Sequence, residues 1–204
     1  MNNFFDKVYC INLDNRPDRW LDCVKEFEKI DLNVERISAI NGSILKNNTN
    51  ISNGALGLTL TVKNIIKDAI NNSFNKILIL EDDVVFTDDI NTFNTDINYI
   101  PNDWEMVYFG GNHNTHMGFS PPTQINDYFK RLKHTYAAHA VGFNKNGINK
   151  VNTLLNGVLK EIDVMYTDIQ KNNNVYCFNK LLATQRAGYS NIENRIVNYE
   201  NLIK

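Results

Sequence analysis

The run Lys76-Ile77-Leu78-Ile79-Leu80 leads without a break into Glu81-Asp82-Asp83. Its apolar part has no polar alternation, which is the pattern of a central strand covered on both faces. Helices on the two faces of a sheet provide that cover, so the run points to an α/β architecture. Three adjacent acids at the end of such a strand repel one another and would each prefer water. Either they form a solvated turn or a cation compensates them. A hard divalent ion suits carboxylate oxygens, and Mg²⁺ uses only one or two of them while taking its other ligands from phosphate and water.

The neighbouring segments fit this frame. Val8 to Leu13 reads as a buried strand, ended by the loop Asn12 to Pro17. Asp18 is placed to cap a helix carrying Trp20, Leu21, Val24, Phe27 and Ile30 at near 3.6-residue spacing. Val34 to Ile40 reads as the second strand of a parallel strand–helix–strand unit. Gly57 to Asn71 has helical spacing. Further on, Trp104 to Phe109, Ala137 to Phe143 and Val175 to Phe178 read as strands, and Lys145 to Leu155 and Ile162 to Lys171 as helices. Gly111 to Asp127 and the polar closing segment from Ala183 onward read as irregular. The expectation is one α/β domain over residues 1–204, with a mostly parallel central sheet flanked by helices. Ligands in such folds gather beyond the carboxyl ends of the strands.

Bulk properties narrow the partners. A formal charge of −2 gives no general attraction to nucleic acid or anionic lipid. No apolar run approaches the roughly 20 residues that a membrane span needs, and the first residues lack the basic start and apolar run of a secretion signal. Cys10, Cys23 and Cys177 are widely spaced and odd in number, which suits reduced thiols in a cytoplasm.

By itself the acidic triplet would serve a phosphatase, a nucleotidyltransferase or a glycosyltransferase. No Gly-x-x-x-x-Gly-Lys-Ser/Thr loop grips a phosphate here. The order of several segments is more specific. Tyr9 to Arg19 (Tyr-Cys-Ile-Asn-Leu-Asp-Asn-Arg-Pro-Asp-Arg) resembles the opening motif of glycosyltransferase family 25. Ser38 to Gly42 resembles its short acid–glycine turn, and Gly54 to Thr61 its glycine-rich helix start. Ile79 to Val84 is similar to its metal motif, and Asp103-Trp104 with Val107 to Gly110 to its next core strand. Thr135 to Ala137, Glu161 to Asp163 and Ser190 to Glu193 resemble its later motifs. Three positions depart: Asn41 stands where an acid is usual, Thr61-Val62 where the family has Ser-His, and Asn191 where it has Asp.

The resemblance implies a Rossmann-like GT-A fold and an inverting transfer, mostly of galactose, from a UDP-sugar to a glycan, lipid-linked or protein acceptor. It implies Mn²⁺ or Mg²⁺ on Asp83 with Glu81 or Asp82; we take Glu81 and Asp83 as the metal pair and turn Asp82 to the donor. Asn12, Arg16, Arg19, Gln185 and Ser190 complete the expected donor-binding set, since guanidinium groups suit phosphate oxygens. Asn12 could equally cap its strand, and Arg16 and Arg19 could pair with Asp14 or Asp18. Asp163 is the expected base, with Asp168 next. Tyr136, Gln185 and Ser190 could bind acceptor hydroxyls. His113 and His116 could share a metal, and His139 reads as a hydrogen-bonded core residue. The polar stretch Lys46 to Asn53 reads as a mobile lid. A catalytically silent module that binds sugar or a partner is the alternative that the three departures keep open.

Overall fold

The computed structural model describes residues 1–171, 174–193, 195–199 and 202–204. In chain order the elements are β1 (Lys7–Asn12), α1 (Pro17–Lys29), β2 (Glu35–Ser38), α2 (Asn53–Asn71), β3 (Lys76–Glu81), β4 (Val84–Phe86) and α3 (Phe93–Asp96). They continue as β5 (Met106–Tyr108), β6 (Thr123–Gln124), β7 (Phe129–Arg131), β8 (Ala140–Asn144), α4 (Lys145–Leu155), α5 (Ile162–Gln170), β9 (Val175–Phe178), β10 (Ala183–Gln185), β11 (Gly188–Ser190) and β12 (Arg195–Val197). Eight strands form the central sheet in the order β2-β1-β3-β8-β5-β9-β7-β6. Only β8 and β7 run against the rest, so the sheet is mostly parallel.

β3 lies inside the sheet, between β1 and β8. Successive side chains of a strand point to opposite faces, and here both faces are covered. Leu78 and Leu80 join Val8, Cys10, Tyr176 and Phe178 against Cys23 and Phe27 of α1. Ile77 and Ile79 join Tyr9, Ile11, Val175 and Cys177 against Val62 and Ile66 of α2, Ile148 of α4 and Met165 of α5. Each such aliphatic side chain contributes about 1.5–3 kcal/mol on full burial, which fixes the register of β3 and with it the position of its acidic end.

Several boundaries differ from the sequence reading for local reasons. Pro17 takes the first helical position of α1, where its fixed φ suits the start of a helix. Asp18 therefore falls inside the first turn and favours the positive end of the helix as a charge rather than as a cap. β8 starts at Ala140 rather than Ala137, because Ala137 has φ 72° and cannot extend a strand. β4 and β7 are short strands made by partners distant in sequence, and β11 and β12 form a short local hairpin.

The segment from Lys46 to Asn53 is irregular and is organised by Asn47. The Asn47 Nδ2 donates to Ile51 O (2.8 Å) and to Asn53 Oδ1 (2.9 Å), and Oδ1 accepts from the Thr49 amide. Helix α2 then begins with Ser52 as its cap, accepting from Ala55 N at 3.2 Å. The helix start packs backbone to backbone on the loop after β2. A Cβ on Gly57 would stand 2.4 Å from Ile40 O, and one on Gly42 would stand 1.8 Å from Asn53 O. We predict that Gly57→Ala lowers unfolding free energy by about 1–3 kcal/mol in urea titrations. Gly188→Ala, where nothing lies within 4 Å, should stay within about 0.5 kcal/mol of the native chain. Equal effects at the two positions would refute the close approach.

Candidate active site

β3 ends at Glu81 and β4 begins at Val84, so Asp82-Asp83 is the corner between two sheets. The corner is held from both sides. The Glu81 amide donates to His139 O (2.9 Å), extending the pairing with β8, and the Arg186 amide donates to Asp83 O (2.7 Å) beside β10. The three acids then take different partners. Buried Asp82 receives Arg19 Nη1 at 2.5 Å and Asn12 Nδ2 at 2.7 Å. Asn12 is oriented in turn by Arg36 Nε, which donates to its Oδ1 at 2.9 Å, and Arg19 also reaches Tyr189 O at 2.9 Å.

Among the described residues, Glu81 and Asp83 make no ion pair of this kind. The side-chain nitrogen of Gln185 lies 3.4 and 3.5 Å from the Asp83 oxygens. Burial pushes the Glu81 carboxyl well above its usual range, and the charges of Asp83, Asp82 and Asp163 add to this. Burial likewise lifts Asp83 to about 6, with Asp82 adding to the rise and Arg19 and Gln185 opposing it. Asp163 sits at the start of α5 and accepts the Val164 amide at 2.8 Å. Its carboxyl is raised by burial, against the amides of Val164 and Ala137.

Two cavities meet at the carboxylates, and Glu81, Asp83, Leu58, Ser190 and Ile192 line both. The larger, about 440 Å³, also has Asn15, Arg19 and Asp82 in its wall and is backed by the Ile40 to Ser43 loop. The smaller, about 310 Å³, has Asp163, Gln185 and Tyr136. A pair of sites sharing two carboxylates suits a reaction that joins two substrates.

Glycosyltransferase family 25 (LPS biosynthesis protein) matches the chain over residues 5–203. The chain belongs to that family. It is therefore a glycosyltransferase, an enzyme with a sugar donor and a glycan acceptor. No curated protein matches it individually. Among solved structures, A197 from STIV is 12% identical, covering 94% of this chain and 92% of that one at a TM-score of 0.49. A glycosyltransferase involved in the glycosylation of the major capsid of PBCV-1 is also 12% identical, covering 84% and 80% at a TM-score of 0.49. Mannose-1-phosphate geranyltransferase from Thermus thermophilus is 9% identical, covering 83% and 58% at a TM-score of 0.38.

In this glycosyltransferase most of the expected site residues converge. Glu81, Asp83, Asp163, Gln185, Ser190 and Tyr136 face the smaller cavity, and Arg19 and Asp82 the larger. Asn12 lies behind Asp82, buried, as its hydrogen-bond donor. Arg16 lines neither cavity. It binds Asp18 and donates from Nη1 to Asn191 Oδ1 at 2.9 Å, tying the start of α1 to the closing segment. Asp168 lines neither cavity and is paired with Lys160 at 3.0 Å and Lys171 at 2.9 Å.

The histidines resolve separately. His113 is buried against Thr135 Oγ1 at 2.9 Å, whereas His116 is exposed, so the two share no metal. His139 is the core residue expected, fully buried, its Nε2–H donating to Ala183 O at 3.2 Å. The departing residues have structural partners. Thr61 Oγ1 accepts the Ile40 amide and donates to Gly57 O, and Asn41 Oδ1 accepts the Ser43 amide, as an Asp there would.

The sequence reading missed the far wall of the smaller cavity. Asn112, Val197, Tyr199 and Ile203 line it, because Gly111 and Lys204 exchange backbone hydrogen bonds of 3.1 and 3.0 Å. It also missed Ala137, whose positive φ sits beside Asp163. No periodicity announces either feature.

Among the described residues, no three His, Cys, Asp or Glu side chains form a ready cage for a metal. Two half-buried carboxylates remain as candidates, Glu81 and Asp83, and two suffice for Mg²⁺ or Mn²⁺ when phosphate and water complete the shell. The raised carboxyls carry a consequence for the metal-free chain. A group whose folded pKa lies above its unfolded value stabilises the fold below the unfolded value and loses that contribution as pH rises through the folded one. For Asp83 the window runs from 3.8 to about 6. We predict that Asp83→Asn raises the melting temperature of the metal-free protein at pH 7.5, by on the order of 1–3 kcal/mol of stability. The loss of stability between pH 4 and 6 should be shallower in the variant. Identical pH profiles for the two proteins would refute a raised Asp83 carboxyl.

Proposed function

We propose that the enzyme is an inverting, GT-A-type hexosyltransferase that moves a sugar, with galactose the expected one, from a UDP-sugar to a hydroxyl of a glycan, lipid-linked or protein acceptor. The observation that carries this reading is the placement of Glu81 and Asp83, half-buried and without an ion pair among the described residues, in the wall shared by the two cavities. The larger cavity, with Arg19 in its wall, is the donor side. The smaller one, with Asp163, is the acceptor side. Glu81 and Asp83 would hold Mn²⁺ or Mg²⁺, which supplies positive charge for a diphosphate leaving group.

The chain's own residues do the rest. Arg19 pairs with the charge of Asp82 and Asn12 hydrogen-bonds it, so the third acid repels the diphosphate less and competes less for the cation. Asp163 stands across the shared wall with one oxygen held by the Val164 amide. Its other oxygen accepts the proton of the acceptor hydroxyl as that oxygen attacks the anomeric carbon. Burial raises its carboxyl, which brings a base closer to working pH. The closing segment and Tyr136 wall the smaller cavity from bulk water, the competing acceptor. No helix among the described residues is long and apolar enough to cross a membrane. The three cysteines are buried and free, which supports a cytoplasmic setting.

Two measurements test the reading. UDP should raise the melting temperature more with Mn²⁺ than with EDTA, because a bare diphosphate meets uncompensated carboxylates. Equal shifts in the two conditions would sink the role of Glu81 and Asp83. Asp163→Asn should lower turnover by roughly a hundredfold or more while leaving UDP affinity nearly unchanged. A variant that loses UDP binding but keeps its turnover per complex would move Asp163 to the donor side.

A further inference from the structure

The two cavities that share Glu81 and Asp83 differ in sign. The larger has Arg19 in its wall. The smaller is lined by Glu81, Asp83, Glu161, Asp163 and Glu193, and among the described residues no lysine, arginine or histidine lines it. These acids are not equivalent. Glu81 and Asp83 belong to the proposed metal pair, and Asp163 takes up a proton in the proposed reaction. Glu193 is neutralised by Arg195, whose Nε donates to it at 2.8 Å, and it also receives the Tyr199 hydroxyl. Glu161 has no ion-pair partner among the described residues, and the lysine before it is bound to Asp168. The rest of the wall is apolar or neutral, with Ile162 and Val197 beside Tyr136 and Ser190.

We infer that the smaller cavity selects its acceptor by charge: a neutral or amine-bearing sugar enters, a carboxylated or phosphorylated one is kept out, and Glu161 sets the discrimination. The inference rests on the assignment of this cavity to the acceptor. A partly desolvated wall strengthens repulsion between like charges, and selectivity is built from such repulsion as much as from attraction. The apolar side chains suit the C–H face of a sugar ring, which carries no charge to be paired. Once a cation has compensated the metal pair and Arg195 has compensated Glu193, Glu161 still presents its charge to whatever enters, beside that of the base Asp163.

The test uses the full chain and three matched probes: methyl β-glucosaminide, methyl β-glucoside and methyl β-glucuronide. Ligand-observed NMR at low salt measures their binding, with and without UDP and Mn²⁺. The glucuronide should bind at least about tenfold more weakly than the glucosaminide. Glu161→Gln, which keeps the side-chain shape at a half-exposed position, should bring the two within about threefold of each other. About 0.5 M NaCl should narrow the gap in the native chain by screening. Equal or tighter binding of the glucuronide, an unchanged gap in Glu161→Gln, or no binding of any probe overturns the inference. The Mn²⁺-dependent thermal shift with UDP reads the other cavity. If that shift is present without charge discrimination, only this inference fails; if it is absent, the functional reading fails and takes this inference with it.

Discussion

The contact of Arg19 and Asn12 with Asp82 decides what the other two acids of the triplet can do. Three carboxylates at the end of a buried strand cannot all be left uncompensated in a low-dielectric corner. The fold neutralises the middle one from its own first helix and first strand, at 2.5 and 2.7 Å. Its neighbours Glu81 and Asp83 line both cavities, whereas Asp82 lines only the larger. The sequence presents three equivalent acids; the folded chain pairs one of them with an arginine and leaves two lining both cavities. Arg36 belongs to the same arrangement, since its bond to Asn12 Oδ1 leaves the amide nitrogen free to face Asp82.

The cavities depend on close backbone approach. The loop after β2 lies against the first turns of α2 at a distance that only glycine at positions 42 and 57 permits. Thr61 ties the two together by accepting the Ile40 amide. On the other side, the closing segment is drawn in by its pairing with Gly111 and Asn112. Gly54 lets that segment approach, since a Cβ there would meet Asn191 O at 2.8 Å. Buried Gln170 holds the turn that carries Ala137, with its oxygen on the Thr135 amide at 2.7 Å and its nitrogen on Thr135 O at 2.8 Å. Strained backbone of this kind persists only where surrounding contacts fix it, and such positions gather at functional sites.

How much of this was legible in the sequence depends on the range of the interactions. The apolar run at Ile77 to Leu80, the helical spacing of α2, α4 and α5 and the abrupt change to acids at Glu81 are local signals. They determined an α/β fold, the central place of β3 and the position of the carboxylates, because burial of a strand on both faces leaves no other pattern. The order of short motifs determined the family. Only the tertiary structure decided which acid is neutralised, that Arg16 and Asp168 stand outside the site, that His113 and His116 do not meet, and that residues near 112 and 203 build one cavity wall. The neutralised acid is set by a pairing of side chains far apart in sequence, and the cavity wall by a backbone pairing of Gly111 with Lys204. Such pairings are chosen by competition among several possible partners within the packed fold, and no local spacing records which of them wins.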